Sequence, residues 1–370
     1  MKRISLIALL LLVSSCGKNI SEIFSAPSSQ ESAGLIASCT TKSQAQALSE
    51  SKGISFRVIN QKRKLVEFYG IDKDELQGLL PKSKIKKNIV YSESFISGES
   101  FGAKSYGDYP FYGAHSPQYR NASDARYFPH LVQINGLQLN TAQGQGVTIA
   151  VIDTGVYYNH PHLSPNIKVN SADPHGSQEN SIDDDGNGFK DDYVGWDFYN
   201  GDAYPIDDNG HGTHVAGLAA GTYGGVAPKA KILPIKVLNS QGSGDLGTIS
   251  AGILYALDMG ADIINLSLGG PAASTASSDI QNLISSVSIA KGRDALIIAA
   301  AGNGGQDGVG DCNDQAPIYP ANIDSSNIIS VASVDENNQI TNYSNFGKAT
   351  VDVAAPGGSL SNGGLLSTGI

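Results

Sequence analysis

Apolar and polar positions fall into two rhythms along this chain. From Gly146 onward, short continuous apolar runs alternate with stretches of helical spacing. "GVTIAVIDTGV" (146–156), "KILPIKVL" (231–238), "ADIINLSLGG" (261–270), "ALIIAAAGN" (295–303), "NIISVASV" (327–334) and "ATVDVAAPG" (349–357) read as strands. "TISAGILYALDMG" (248–260) places Ile249, Ile253 and Ala256 on one helical face, and "SDIQNLISSVSIAKGR" (278–293) reads as a helix capped by Ser278. Strands apolar along their whole length need cover on both faces, which implies an α/β domain with a parallel sheet between helices. Residues 34–98 beat differently: "GLIASC", "ISFRVI", "KLVEFYGI" and "KNIVYSES" as strands, with "TKSQAQALSES" and "DKDELQGLLPKS" as helices. That βαββαβ order is the ferredoxin-like α+β plan.

The ends and joints of these regions carry other signals. "MKRISLIALLLLVSSC" (1–16) is a short basic start, an apolar run and small residues, which reads as an export signal too short to span a bilayer as a helix. Its end at Cys16 looks like a bacterial lipobox, so Cys16 is expected to be lipidated and to anchor an exported protein to a membrane. Residues 17–33 read as a polar tether, 34–98 as a small domain, 99–130 as a Tyr/Gly/Ser/Pro-rich linker and 131–370 as the large domain. The remaining cysteines, Cys39 and Cys312, are expected to be unpaired.

Charge sharpens the division. The net charge is −10, with 12 basic against 9 acidic residues in 17–100 and 11 against 26 in 101–370. The acidic balance of the large domain argues against nucleic acid as its partner, and the opposite signs suggest two domains that attract each other.

In parallel sheets, functional residues gather beyond the carboxyl ends of strands. Here those ends carry Asp153, Ser267-Leu268-Gly269 and Asn303. Asp153 could be a turn former or a buried acid. Asn303 could be a turn former before two glycines or an amide donor. His211, in "NGHGTHVAG" (209–217), opens a small-residue helix pattern. A metal site at His211 and His214 has little support, because no third ligand stands nearby. Nucleophilic catalysis fits better: a serine needs an imidazole base, the imidazole needs a carboxylate, and the oxyanion needs a donor.

Together these stretches resemble the subtilisin-like serine proteases. "VIDTGV" resembles the family's aspartate motif, "HGTHVAG" its histidine motif and "AAAGN" its oxyanion motif. The resemblance implies Asp153 as triad acid, His211 as general base and Asn303 as oxyanion donor, with His214 a packed second histidine. "SLGG" (267–270) and "GSGDL" (242–246) resemble the two edges of the substrate groove, implying that Gly244, Leu246, Ser267, Leu268 and Gly269 contact peptide or protein substrates. The small domain resembles the family's propeptide, a folding aid and inhibitor. The family's nucleophile stands in a Gly-Thr-Ser-Met-Ala motif after an "APG" segment. Residues 354–370, "AAPGGSLSNGGLLSTGI", contain no such motif, and Ser359, Ser361 and Ser367 do not stand in one. The expectation is a C-terminally incomplete serine endopeptidase precursor, inactive as written. A catalytically dead peptide-binding module is the alternative.

Between Asp153 and His211 lies "DDDGNGFKDD" (183–192). Oxygen ligands at alternate positions around a glycine suit Ca²⁺: Asp183, Asp185 and Asn187 by side chain, Phe189 by its carbonyl, and Asp192 closing the loop. Trp196 is expected to pack beside it.

Overall fold

The computed structural model describes residues 35–38, 42–52, 55–60, 65–69, 73–80, 85–87, 90–92, 129–134, 143–173, 179–271, 277–304, 307–358, 365 and 367–370. Cys16, Cys39, the tether and most of the linker lie outside them. In the N-terminal part the elements run β1 (Leu35–Ser38), α1 (Lys42–Lys52), β2 (Ser55–Asn60), β3 (Leu65–Tyr69), α2 (Lys73–Leu79), β4 (Ile85–Lys87) and β5 (Val90–Ser92). The first four strands form an antiparallel sheet of order β2-β3-β1-β4, the ferredoxin-like order. The single final strand expected over 87–94 is instead two short ones. β4 closes the small sheet, while β5 leaves it and pairs with a strand of the large domain.

The larger part continues with α3 (Pro129–Gln133), β6 (Thr148–Asp153), β7 (Trp196–Asp197), α4 (His211–Ala220), β8 (Lys231–Lys236), β9 (Ser243–Asp245), α5 (Leu246–Asp258) and β10 (Ile263–Leu266). It then runs through β11 (Gly270–Pro271), α6 (Ser277–Gly292), β12 (Leu296–Ala300), β13 (Ile318–Tyr319), β14 (Ile328–Val334) and β15 (Val353–Pro356). Seven strands form one parallel sheet of order β15-β14-β12-β10-β6-β8-β7. The expected α/β architecture is therefore present, a mostly parallel sheet flanked by helices.

The period-2 alternation of strand side chains divides the core. In β6, Ala150 and Ile152 join Ile253 and Leu257 of α5 and Leu283 and Val287 of α6. Ile149 and Val151 point to the other face, where Val215, Ala216 and Ala219 of α4 cover them. Tight packing explains the small residues of α4. A Cβ at Gly217 would run into the hydroxyls of Ser367 and Thr368, whose side chains donate to the carbonyls of His214 (2.6 Å) and Thr213 (2.7 Å).

Candidate active site

β6 ends at Asp153, fully buried at the carboxyl edge of the sheet. α4 begins at His211, and its N-cap is Gly210 at φ 104°, a left-handed conformation that glycine adopts without penalty. The two elements meet because Gly212 has no side chain: a Cβ there would strike the carbonyl oxygen of Gly155. This close approach brings His211 Nδ1 within 2.7 Å of Asp153 Oδ1, which also accepts from the Thr154 amide at 2.7 Å. Asp153 Oδ2 is buried with no hydrogen-bond partner among the described residues. His211 is thus the side chain that shares this carboxylate. With Nδ1–H donated to Asp153, Nε2 carries the lone pair of a base.

A second buried carboxylate, Asp207, was not singled out from the sequence, although it stands three residues before the N-cap of α4. Its Oδ1 accepts from Thr154 Oγ1 (2.8 Å), Asn209 N (3.0 Å) and Gly210 N (2.9 Å). Its Oδ2 accepts from Thr213 N (2.8 Å) and Thr213 Oγ1 (2.6 Å). Thr154 Oγ1 in turn accepts from Gly212 N at 3.0 Å. Asp207 therefore satisfies amides at the start of α4 and ties them to the residue after Asp153.

His214, one turn into α4, does not face this pair. Its Nε2 lies 3.1 Å from the Leu365 carbonyl, and burial, with a smaller contribution from His211, lowers its pKa to about 4. Asn303 follows β12, two strands from β6 at the same sheet edge, and is nearly buried. Its loop is held from behind by asparagines that the sequence reading passed over. Asn345 Oδ1 accepts from Gly304 N at 2.6 Å and from Asp311 N at 2.9 Å, while Asn345 N donates to Gly302 O at 2.8 Å. Asn313 Nδ2 donates to Ala301 O at 2.7 Å.

Of the expected groove residues, Gly244 lies in β9, and Ser267, Leu268 and Gly269 follow β10. Leu246 and Leu268 have their side chains in the core cluster around α5. β9 pairs antiparallel with β5, in the register Val90↔Asp245, Tyr91↔Gly244 and Ser92↔Ser243. One expected groove edge thus carries a strand of the N-terminal part.

In the acidic loop, the structure gathers a set of carboxylates different from the expected one. Asp173, Asp185 and Asp192 present oxygens within 4.8 Å of one another. Asp183 stands outside this cluster because its two oxygens accept from the Asn187 and Gly188 amides, at 3.0 and 2.8 Å, and so form the turn. Asn187 joins through its side chain, 2.9 Å from Asp192 Oδ2. Phe189 is buried, with its ring against Trp196, Phe198 and Tyr255. Asn170 is a new member. Its single amide nitrogen lies 2.6 Å from Asp192 Oδ1, 3.1 Å from Asp185 Oδ2 and 3.3 Å from Asp173 Oδ2. Burial, then the Asp173 carboxyl, pushes Asp192 up to about 7, against the Tyr255, Asn170 and Asn187 hydrogen bonds.

Comparison with known proteins places this geometry. A family model described as "Subtilase family" matches residues 144–369. Thermitase of Thermoactinomyces vulgaris is 37% identical over 241 residues, which is 64% of this chain and 71% of thermitase. The thermophilic serine proteinase of Bacillus sp. (strain AK1) is 37% identical over 223 residues, 59% of this chain but only 45% of that protein. Subtilisin DY of Bacillus licheniformis is 37% identical over 232 residues, 61% of this chain and 70% of that protein. In fold, the chain is similar to the epidermin leader peptide processing serine protease of Staphylococcus aureus. The TM-score is 0.61 at 21% identity, over 89% of this chain and 76% of that one.

Proposed function

Because this chain belongs to the subtilase family, we propose that it is a serine endopeptidase precursor cutting peptide bonds through an Asp-His-Ser triad. The observation that carries the reading is the 2.7 Å bond between buried Asp153 and the imidazole of His211. In this scheme Asp153 fixes the Nδ1–H tautomer and stabilises the imidazolium. His211 Nε2 takes the proton of a serine hydroxyl and returns it to the leaving amine. Asn303 donates to the oxyanion. Substrate lies between the 243–245 and 267–269 segments. No serine of residues 1–370 stands in the nucleophile motif, so the chain as written is assigned no turnover.

The test is exposure of the purified 370-residue chain to a fluorophosphonate probe and to unfolded protein substrate. Neither labelling nor cleavage is expected. Rapid hydrolysis with labelling of Ser359, Ser361 or Ser367 would put the nucleophile inside these residues. In a form carrying the motif serine, the reading requires hydrolysis that His211→Ala abolishes. Peptide binding without hydrolysis in that form would leave only a binding module.

Three further assignments belong to the same reading. The N-terminal domain acts as propeptide and inhibitor, supported by the β5–β9 ladder on the groove edge. Asp173, Asp185, Asp192, Asn170 and Asn187 hold a structural Ca²⁺. The donor set fits: an NH₂ group has two hydrogens, yet the Asn170 nitrogen faces three carboxylates, and turning either amide offers oxygen instead. A bound Ca²⁺ supplies charge neutralisation there and enters no catalytic step. Cys16, outside the described residues, carries a lipid anchor; no helix among the described residues is long and apolar enough to cross a membrane. Cys16→Ser is expected to abolish partition into a detergent phase, and unchanged partition would count against lipidation.

A further inference from the structure

Lys236 is the last residue of β8 and is 1% exposed. A buried ammonium is costly unless every proton finds an acceptor. Here all three do: Nζ donates to Thr154 O at 2.6 Å, to Asp208 Oδ1 at 2.6 Å and to Leu238 O at 2.8 Å. The acceptors come from three different parts of the proposed site. Thr154 follows the acid Asp153. Asp208 lies in the turn that leads to the base His211. Leu238 bridges Gly244 of β9 on the groove edge. In the sheet, Lys236 stands in register with Asp153 on one side and Asp197 on the other. The scheme of acid, base and oxyanion donor makes no use of this charge.

Resting on the reading of Asp153 and His211 as acid and base, we propose that Lys236 is a positioning residue for that pair. It holds the two carriers of the pair together, and its charge sets the pH at which His211 gains a proton. The charged neighbourhood comes from several elements: Asp153 from β6, Asp197 from β7, Asp207 and Asp208 from the turn before α4, and His211 and His214 from α4 itself. Among the described residues, Lys236 is the lysine that ion-pairs within this group of carboxylates. Asp208 is half-exposed, so its removal disturbs packing far less than removal of Lys236. Ile370, whose side chain lies near Gly210, brings a terminal carboxylate that is common to every variant of the 370-residue chain.

The experiment follows the His211 ring by NMR in the 370-residue chain with labelled histidine, its resonance assigned by loss in His211→Gln. Lys236→Met removes a cation and leaves the carboxylates. His211 should then titrate higher, by about one pH unit, the order that Coulomb's law gives for a unit charge lost nearby in a medium of effective permittivity near 20. Its low-field Nδ1 proton should broaden as the carriers loosen. Asp208→Asn removes an anion and should shift the titration the opposite way. Opposed shifts support the proposal. Titrations unchanged from the parent, or moved in one direction by both variants, overturn it, even if stability falls. If Lys236→Met does not fold, Asp208→Asn decides alone: a lower titration supports, an unchanged or higher one overturns. No hydrolysis is needed, so the result is independent of the triad. Full activity in His211→Ala of a serine-bearing form would end the triad reading whatever Lys236 does.

Discussion

Two regions of this molecule crowd carboxylates, and they neutralise them differently. Around the β6–α4 junction, Asp207 is satisfied by amides and hydroxyls, and Asp208 by the ammonium of Lys236. The protein itself provides the counter-groups of these two carboxylates. In the 170–192 region, three carboxylates converge on the Asn170 amide nitrogen, which has only two hydrogens, and no lysine or arginine joins them among the described residues. Like charges this close repel one another unless solvated, protonated or bridged. The first region answers Asp207 and Asp208 with its own groups; the second leaves three carboxylates crowded together without a basic side chain among the described residues.

The largest expected effect breaks the first region. In a form of the protein that carries the nucleophile serine, His211→Ala should lower kcat by a factor on the order of 10⁶, the cost of losing the same base in subtilisin. His214→Ala should lower melting temperature while leaving most of kcat in the folded fraction. Steady-state rates for both variants, normalised to folded protein, check this.

Acid comes next. The folded-state pKa of His214 is about 4, below the ordinary 6.5, because burial disfavours its charged form. A depressed histidine pKa means that the unfolded chain binds the proton first. The contribution to stability is therefore full above pH 6.5 and is lost as pH falls from 6.5 towards 4. The loss amounts to about 3 kcal/mol for His214. His160, also lowered to about 4 by burial and by His162, titrates over the same window. Denaturant unfolding across that window should show the slope, and His214→Gln should flatten it without removing it. Equal slopes in parent and variant would show that His214 is charged in the folded state.

The third effect tests the second region. A cation that binds only the folded state adds about 2.7 kcal/mol at a hundredfold excess over its Kd. For a domain of this size that is roughly 5–10 °C in melting temperature. Chelation should remove it and added Ca²⁺ restore it. Asp173→Ala should lose most of the response, whereas Asp183→Ala should keep more of it, because Asp183 is engaged by turn amides. Melting curves indifferent to chelator and Ca²⁺ would reduce the region to a solvated acidic loop.

Much of this architecture was readable in the chain because parallel strands buried on both faces leave short apolar runs, here repeated between stretches of helical spacing. "GVTIAVIDTGV" and "ALIIAAAGN" contain their strands, Thr148–Asp153 and Leu296–Ala300, and overrun them by one to three residues at each end. The two-residue strands β7, β11 and β13 left no such trace, since a pair of residues has no period. The hydrogen-bonded pair Asp153 and His211 was legible as local words of the sequence. What surrounds them was not: Asp207 makes its bonds through backbone amides, Asn345 supports a loop some forty residues earlier, and Lys236 looks like an ordinary strand end. The acidic cluster was partly legible because a loop motif shows its own residues, Asp185 and Asp192 among them. Asn170 and Asp173 reach the loop only through folding.

The pairing of β5 with β9 has a consequence for competition. Both strands belong to one chain, so β5 is presented to β9 at an effective concentration set by the connection between them. That concentration does not change with the dilution of the protein. A peptide arriving from solution must outcompete that local supply to occupy the same edge. Once the connection is cut, the three-residue ladder keeps only its own affinity and becomes sensitive to dilution. A single covalent break thus turns occupancy of the β9 edge from a property of the molecule into a property of the solution.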